Sequence, residues 1–156
     1  MSSAWQFILV RTLALLLGFS SVVGAVAGDD EKGSIKLKAQ LIWGTNADSS
    51  PDPKHVEVDA ALKKRLQGVF KWKSYFQVNQ QTFSVSPKKT KKVKLSPQCE
   101  IEVTNLGGNQ IEAKLYGEGE FQLRKRQTLK PGELFSLAGH AKNGNAWFVI
   151  FTPVKD

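Results

Sequence analysis

The chain has 156 residues, 22 Lys and Arg against 14 Asp and Glu, two histidines and one cysteine. That length suits one domain able to bury a single core without covalent staples. The lone cysteine, Cys99, excludes an intrachain disulfide, and the net charge of +8 turns attention to anionic partners.

Met1 to Ala27 reads as a secretory leader. Arg11 is its only charge, and Thr12 to Ala27 is uncharged and rich in Leu, Val and Ala. Ala25-Val26-Ala27 forms a small-x-small cleavage site, followed at once by Gly28-Asp29-Asp30-Glu31. The apolar Trp5 to Val10 ahead of Arg11 is unusual for such a leader. The competing reading is an uncleaved anchor, which would make the protein a membrane-tethered accessory subunit. The uninterrupted apolar run is shorter than the ~20 residues a span needs, which favours cleavage. No cysteine follows it, so a bacterial lipid anchor is not expected. Cleavage near Ala27 leaves residues 28–156 as one β-rich domain in the periplasm or outside the cell. It removes one charge, so the mature chain keeps +7.

Ser34 to Trp43 has strand periodicity. Ile35, Leu37, Ala39, Leu41 and Trp43 share one face; Lys36, Lys38 and Gln40 take the other. Gly44 to Lys54 is the longest irregular stretch and a place for function. Its Asp48 and Asp52 lack the spacing of a calcium-binding EF-hand loop. From Val58 to Gln67 the period lengthens: Val58, Leu62, Leu66 and Val69 recur at three- and four-residue steps. This predicts one amphipathic helix with Glu57 and Asp59 in its first turn and Gly68 as its terminator, laid against the sheet.

Phe70 to Phe76 interleaves rings with Lys71 and Lys73. Tyr75 to Val78 and Thr82 to Ser86 read as two strands, stopped by Pro87. Lys88, Lys89, Lys91, Lys92 and Lys94 follow within seven residues. Together with Lys71 and Lys73 they are candidate anion-binding residues for an anionic polymer or another envelope protein. Nucleic acid is the usual partner of such interleaving, but an export signal argues against it. The competing reading is that the lysines guard a sheet edge, with Val93 and Leu95 packed inward and Lys92 and Lys94 in water.

Gln98 to Leu123 is the clearest stretch. Cys99, Ile101 and Val103 alternate with Glu100, Glu102 and Thr104; Ile111, Ala113 and Leu115 alternate with Glu112, Lys114 and Tyr116; Phe121 and Leu123 continue the pattern. Charge fixes the first register: Val103 opposite Ala113 and Glu102 opposite Lys114, around a Gly107-Gly108-Asn109 turn. The same reasoning at Gly117-Glu118-Gly119 predicts Leu115 on Phe121 and Glu112 opposite Arg124. Cys99 then faces inward as an inert thiol. Leu129 to Gly132 is a turn and Leu134 to Ala138 a strand. Ala146 to Thr152 is apolar on both faces, with Trp147, Val149 and Phe151 on one and Phe148 and Ile150 on the other. That predicts a central strand covered on both sides.

The expected fold is mainly β: an antiparallel sandwich or partly open barrel of about 7–8 strands with one packed helix. GxSxG, P-loop, GxGxxG, HExxH and CxxC motifs are absent from the sequence. Glu100, Glu102, Glu112, Glu118 and Glu120 are assigned to wet faces or turns. The expected function is therefore non-catalytic binding or an envelope or matrix role, with no cofactor and no metal. The alternatives are a polyanion-binding protein using the basic run and a metal-dependent enzyme using His55, His140 and the Gly44 to Lys54 loop.

Overall fold

A computed structural model describes residues 32–139 and 144–155. The leader, its cleavage site and His140 lie outside the described residues. Among those described, the chain runs β1 (Ile35–Thr45), β2 (Val56–Glu57), α1 (Ala60–Gln67), β3 (Ser74–Val85), β4 (Thr90–Ser96), β5 (Cys99–Gly107), β6 (Gln110–Gly117), β7 (Glu120–Thr128), β8 (Phe135–Ala138) and β9 (Ala146–Pro153). They form two antiparallel sheets, one in the order β2-β3-β1-β9-β8 and the other β4-β5-β6-β7. The expected mainly β fold is therefore a sandwich, and neither sheet closes into a barrel.

Alternation builds the main core. Ile35, Leu37, Ala39 and Leu41 of β1 meet Ile101 and Val103 of β5 and Ile111, Ala113 and Leu115 of β6 between the sheets. The opposite face of the five-stranded sheet forms a second, smaller core. There Ile42, Tyr75, Phe148 and Ile150 lie under Val58 and Leu66. The double covering expected for the last strand is thus present: sheet on one side, helix on the other. Each fully buried large side chain of this kind contributes about 1.5–3 kcal/mol. Phe70 stacks on Phe148 with ring centroids 4.5 Å apart, locking the segment after α1 onto β9.

Several local expectations are corrected. The helix begins at Ala60, because Val56 and Glu57 pair with Gln77 and Phe76 of β3 instead. Asp59 is its N-cap, accepting from the Leu62 N–H at 2.9 Å. Gly68 ends it in a right-handed conformation, and Val69 stands 63% exposed, off the apolar stripe. The two strands expected across residues 75–86 are one strand, β3. Its pairing with β1 is interrupted by a bulge at Val78. Among the described residues the strand total is nine, because the lysine run supplies β4 and the two-residue β2 adds an edge.

The meander holds its first register as expected: Val103 faces Ala113, and Glu102 faces Lys114. The second differs. Glu118 and Gly119, both at positive φ (53° and 83°), make a two-residue turn. A bulge follows, so Tyr116 faces Phe121, Leu115 faces Leu123, and Glu112 faces Arg126. Phe121 turns outward, 57% exposed, against the edge of Tyr116.

Asn105 closes the far corner of the sandwich. Its buried amide donates to the Gly33 and Val85 carbonyls and accepts from the Gly107 N–H, each at 2.9 Å. Its backbone bonds Lys88 and Lys89. One side chain thereby ties the end of the five-stranded sheet to the four-stranded one.

Candidate functional site

The proposed anion-binding lysines fall in two places. Lys71 and Lys73 precede β3, and Lys73 pairs with Asp48, which holds that carboxyl below its ordinary pKa. Lys88 and Lys89 follow β3, a strand of 12 residues. At about 3.3 Å per residue, its ends are some 35–40 Å apart. Lys91, Lys92 and Lys94 lie on β4, an edge strand. The structure therefore brings Lys88, Lys89, Lys91, Lys92 and Lys94 together and leaves Lys71 and Lys73 at the other end of the sandwich. Val93 and Leu95 pack inward, as the alternation predicted.

The outer face of the four-stranded sheet balances much of its own charge. Glu102 lies between Lys92 at 2.9 Å and Lys114 at 3.4 Å. Glu112 receives Arg126 at 2.5 Å and Arg124 at 3.9 Å. These hydrogen bonds hold both carboxyls below their ordinary pKa, and the Glu102 contact pushes the Lys92 ammonium up. The result is a cross-strand ladder of ion pairs that favours one register.

A cavity of about 590 Å³ opens between the sheets at the end away from Asn105. Its size is that of a small-ligand site. The residue sizes explain why it exists. On the four-stranded sheet, Cys99 pairs with Gly117, so no bulk projects from that wall. On the five-stranded sheet, Phe76, Trp43 and Trp147 form one cross-strand row over β3, β1 and β9. Both tryptophans line the cavity, with Leu41 and Val78 beside them.

Two glycines make room for Trp147. A Cβ on Gly139 would fall 2.3 Å from its indole, and one on Gly117 3.0 Å from it. Cys99 is 3% exposed at the closed side of the cavity, and burial pushes its thiol up to about 12. Its burial matches the inward register expected of it.

The rim is polar. Glu118, Glu120 and Gln122 come from the β6–β7 turn and its bulge, Gln98 from the β4–β5 turn, and Asn145 from the approach to β9. His55 closes the remaining side, edge-on to Trp43 with centroids 6.2 Å apart. It is held by a local cluster: Ser50 Oγ lies 2.7 Å from its Nδ1, and Asp52 Oδ2 lies 3.6 Å from its Nε2. The loop braces itself further, since Asp52 N–H donates to Ser50 Oγ and Lys54 N–H to Asp52 Oδ1. Ser50 does not line the cavity, so this cluster orients the imidazole rather than presenting a nucleophile to it. Among the described residues, no group of three His, Cys, Asp or Glu side chains is placed to hold a metal ion. None of the described helices is long and apolar enough to cross a membrane.

The sequence reading placed Trp43 and Trp147 on inward faces but did not bring them together. The pairing of β1 with β9 joins residues a hundred positions apart, and no local pattern reports it. The Ser50-Pro51-Asp52-Pro53-Lys54-His55 stretch did carry a local signal, two turn-forming side chains ahead of a histidine. Comparison with known proteins finds no matching family model, no matching curated protein and no matching solved structure.

Proposed function

We propose that this protein is an exported, non-catalytic binding module whose ligand enters the cleft between the sheets. Export rests on the leader pattern at Met1 to Ala27. The binding reading rests on one observation: a 590 Å³ cavity with apolar walls, two tryptophans and a rim of carboxylates and amides. Apolar walls supply affinity, and a few polar groups at the mouth supply orientation. The cleft lies at the turn-bearing end of a rigid sandwich, the usual place for a binding site on this architecture.

The lysine run has a separate task in this reading. β4 is an edge with no strand paired along one side, and its lysines discourage other chains from adding to it. Lys125 does the same at the opposite edge, β7, where its ammonium lies over the Phe135 ring at 5.3 Å.

The mature chain retains Trp43, Trp72 and Trp147 as its fluorophores. In the Trp72→Phe variant, emission from the cleft can be followed during titration with a panel of small aromatic, sugar and ammonium probes. At least one probe should change the emission saturably, and Trp43→Phe should weaken that response. A flat response to the whole panel would refute the binding reading.

A further inference from the structure

We infer that the part of a small-molecule ligand buried in the cleft is hydrocarbon, with no charge and no hydrogen-bonding group of its own. The inference rests on the binding reading above and adds the ligand's chemical class. It starts from what the walls can offer. Four of the residues lining the cleft are buried: Leu41, Cys99, Gly117 and Ala146. None carries a side-chain nitrogen or oxygen, and the Cys99 thiol is a weak donor. Val78, beside them, packs against the main core.

Three half-buried polar side chains of the lining are already engaged by the protein itself. Ser96 Oγ accepts from the N–H groups of Gln98 at 3.2 Å and Cys99 at 3.0 Å. Gln122 Nε2 donates to the Glu120 carbonyl at 3.4 Å. His55 Nδ1 pairs with Ser50 Oγ at 2.7 Å. Among the described residues, every buried side-chain nitrogen or oxygen has a hydrogen-bond partner. The walls therefore hold no buried polar group that a ligand could satisfy. A hydroxyl, amide or charge taken between them would lose its water and gain no partner. A sugar, with a hydroxyl on nearly every carbon, suits such walls poorly. A methylene chain or fused ring leaves water with no such loss. The ligand's polar end stays at the mouth, beside Gln98, Glu120 and Asn145.

Primary alcohols from butan-1-ol to decan-1-ol, titrated into the mature chain against the neutral fluorescent probe N-phenyl-1-naphthylamine, test this directly. The series keeps one hydroxyl and varies only the hydrocarbon. Each added methylene should tighten binding about threefold, until the chain outgrows the cleft. Glucose should leave the probe in place. Brominated decan-1-ol should quench the indole emission of the Trp72→Phe variant saturably, which locates the chain beside Trp43 and Trp147. Val78→Phe adds bulk to the wall and should weaken decan-1-ol about tenfold while changing butan-1-ol little. An unchanged circular dichroism spectrum checks that variant's fold, and the quenching measurement needs no change in the walls. Affinity that is flat along the series, or saturable binding of glucose, choline or acetate with none of the alcohols, would overturn the hydrocarbon inference and leave the cleft as a binding site. Alcohol binding without quenching would place the chain elsewhere and overturn it as well. Silence from every probe would take the binding reading down with it.

Discussion

Trp43 of β1 and Trp147 of β9 stand directly opposite each other across an antiparallel ladder, on the face that looks into the sandwich. With Leu41 and Val78 they make one wall of the cleft. The other wall is low because Cys99 and Gly117 are its paired residues. The cleft is thus a mismatch between the two sheets at this end of the sandwich.

Gly139 is a test of that geometry. Its positive-φ neighbours in the turns need glycine for conformation; Gly139 needs it for space, because a methyl group would strike the Trp147 indole at 2.3 Å. Gly139→Ala should destabilise the protein by about 1–3 kcal/mol in urea unfolding. Shrinking the ring with Trp147→Leu in the same chain should recover part of that loss, because the two positions touch. Independent, additive effects would show that the indole is not seated on Gly139.

Asn105→Ala removes an amide that makes three hydrogen bonds, two of them reaching across to Gly33 and Val85 beside the five-stranded sheet. The Gly33 and Val85 carbonyls and the Gly107 N–H each lose a partner in a buried setting. A loss of about 2–4 kcal/mol is expected, against the smaller effect typical of an exposed asparagine. Thermal unfolding should remain a single transition at a lower midpoint.

The ion-pair ladder gives a pH dependence with a definite sign. Glu102 and Glu112 are held below their ordinary pKa of 4.5 by their cationic partners. Carboxyls with depressed folded values contribute stability that is fully present above the unfolded pKa and is lost as pH falls through the folded values. Urea midpoints should therefore be level above about pH 5.5 and decline below about pH 4.5. Glu102→Gln with Glu112→Gln should flatten that decline. A decline of unchanged steepness in the double variant would place the acid sensitivity elsewhere.

The lysine edge yields a choice between two roles. Replacing Lys88, Lys89, Lys91, Lys92 and Lys94 with glutamine should raise self-association in light scattering, since β4 then offers an unguarded edge. Retention on a heparin-like column should change only in proportion to the lost charge. Complete loss of retention with no rise in association would instead make the run a dedicated polyanion site.

The sequence revealed most of the fold because one face of nearly every strand is wet. Ile101 against Glu102, and Leu115 against Lys114, announce both the strands and their register. The reading failed where backbone geometry outweighed side-chain pattern. The Glu118-Gly119 turn and the bulge after it each added one residue, so β7 slid two positions past the bulge: Phe121 went outward and Glu112 met Arg126. Alternation alone cannot reveal an extra residue in a ladder. Likewise β3 looked like two strands because Asn79, Gln80 and Gln81 interrupt its apolar pattern while the backbone continues through them. The candidate site was less legible than the fold. Its walls come from β1, β3, β5, β6 and β9, and the local chemistry of each strand is only that of a core. The lysine run drew attention because it is contiguous, whereas the cleft is assembled from single residues far apart in the chain.

The most direct test follows the indole N–H resonances of Trp43, Trp72 and Trp147 in two-dimensional NMR spectra of the mature chain as choline, glucose, indole and acetate are added in turn. Trp72 serves as the internal reference, since its indole N–H is bonded to the Gly144 carbonyl at 2.9 Å and it packs against Phe148 on the other face of the sheet. Saturable shifts at Trp43 and Trp147 with a stationary Trp72 are expected for at least one probe. Three stationary resonances across the whole series would contradict a ligand site between the sheets.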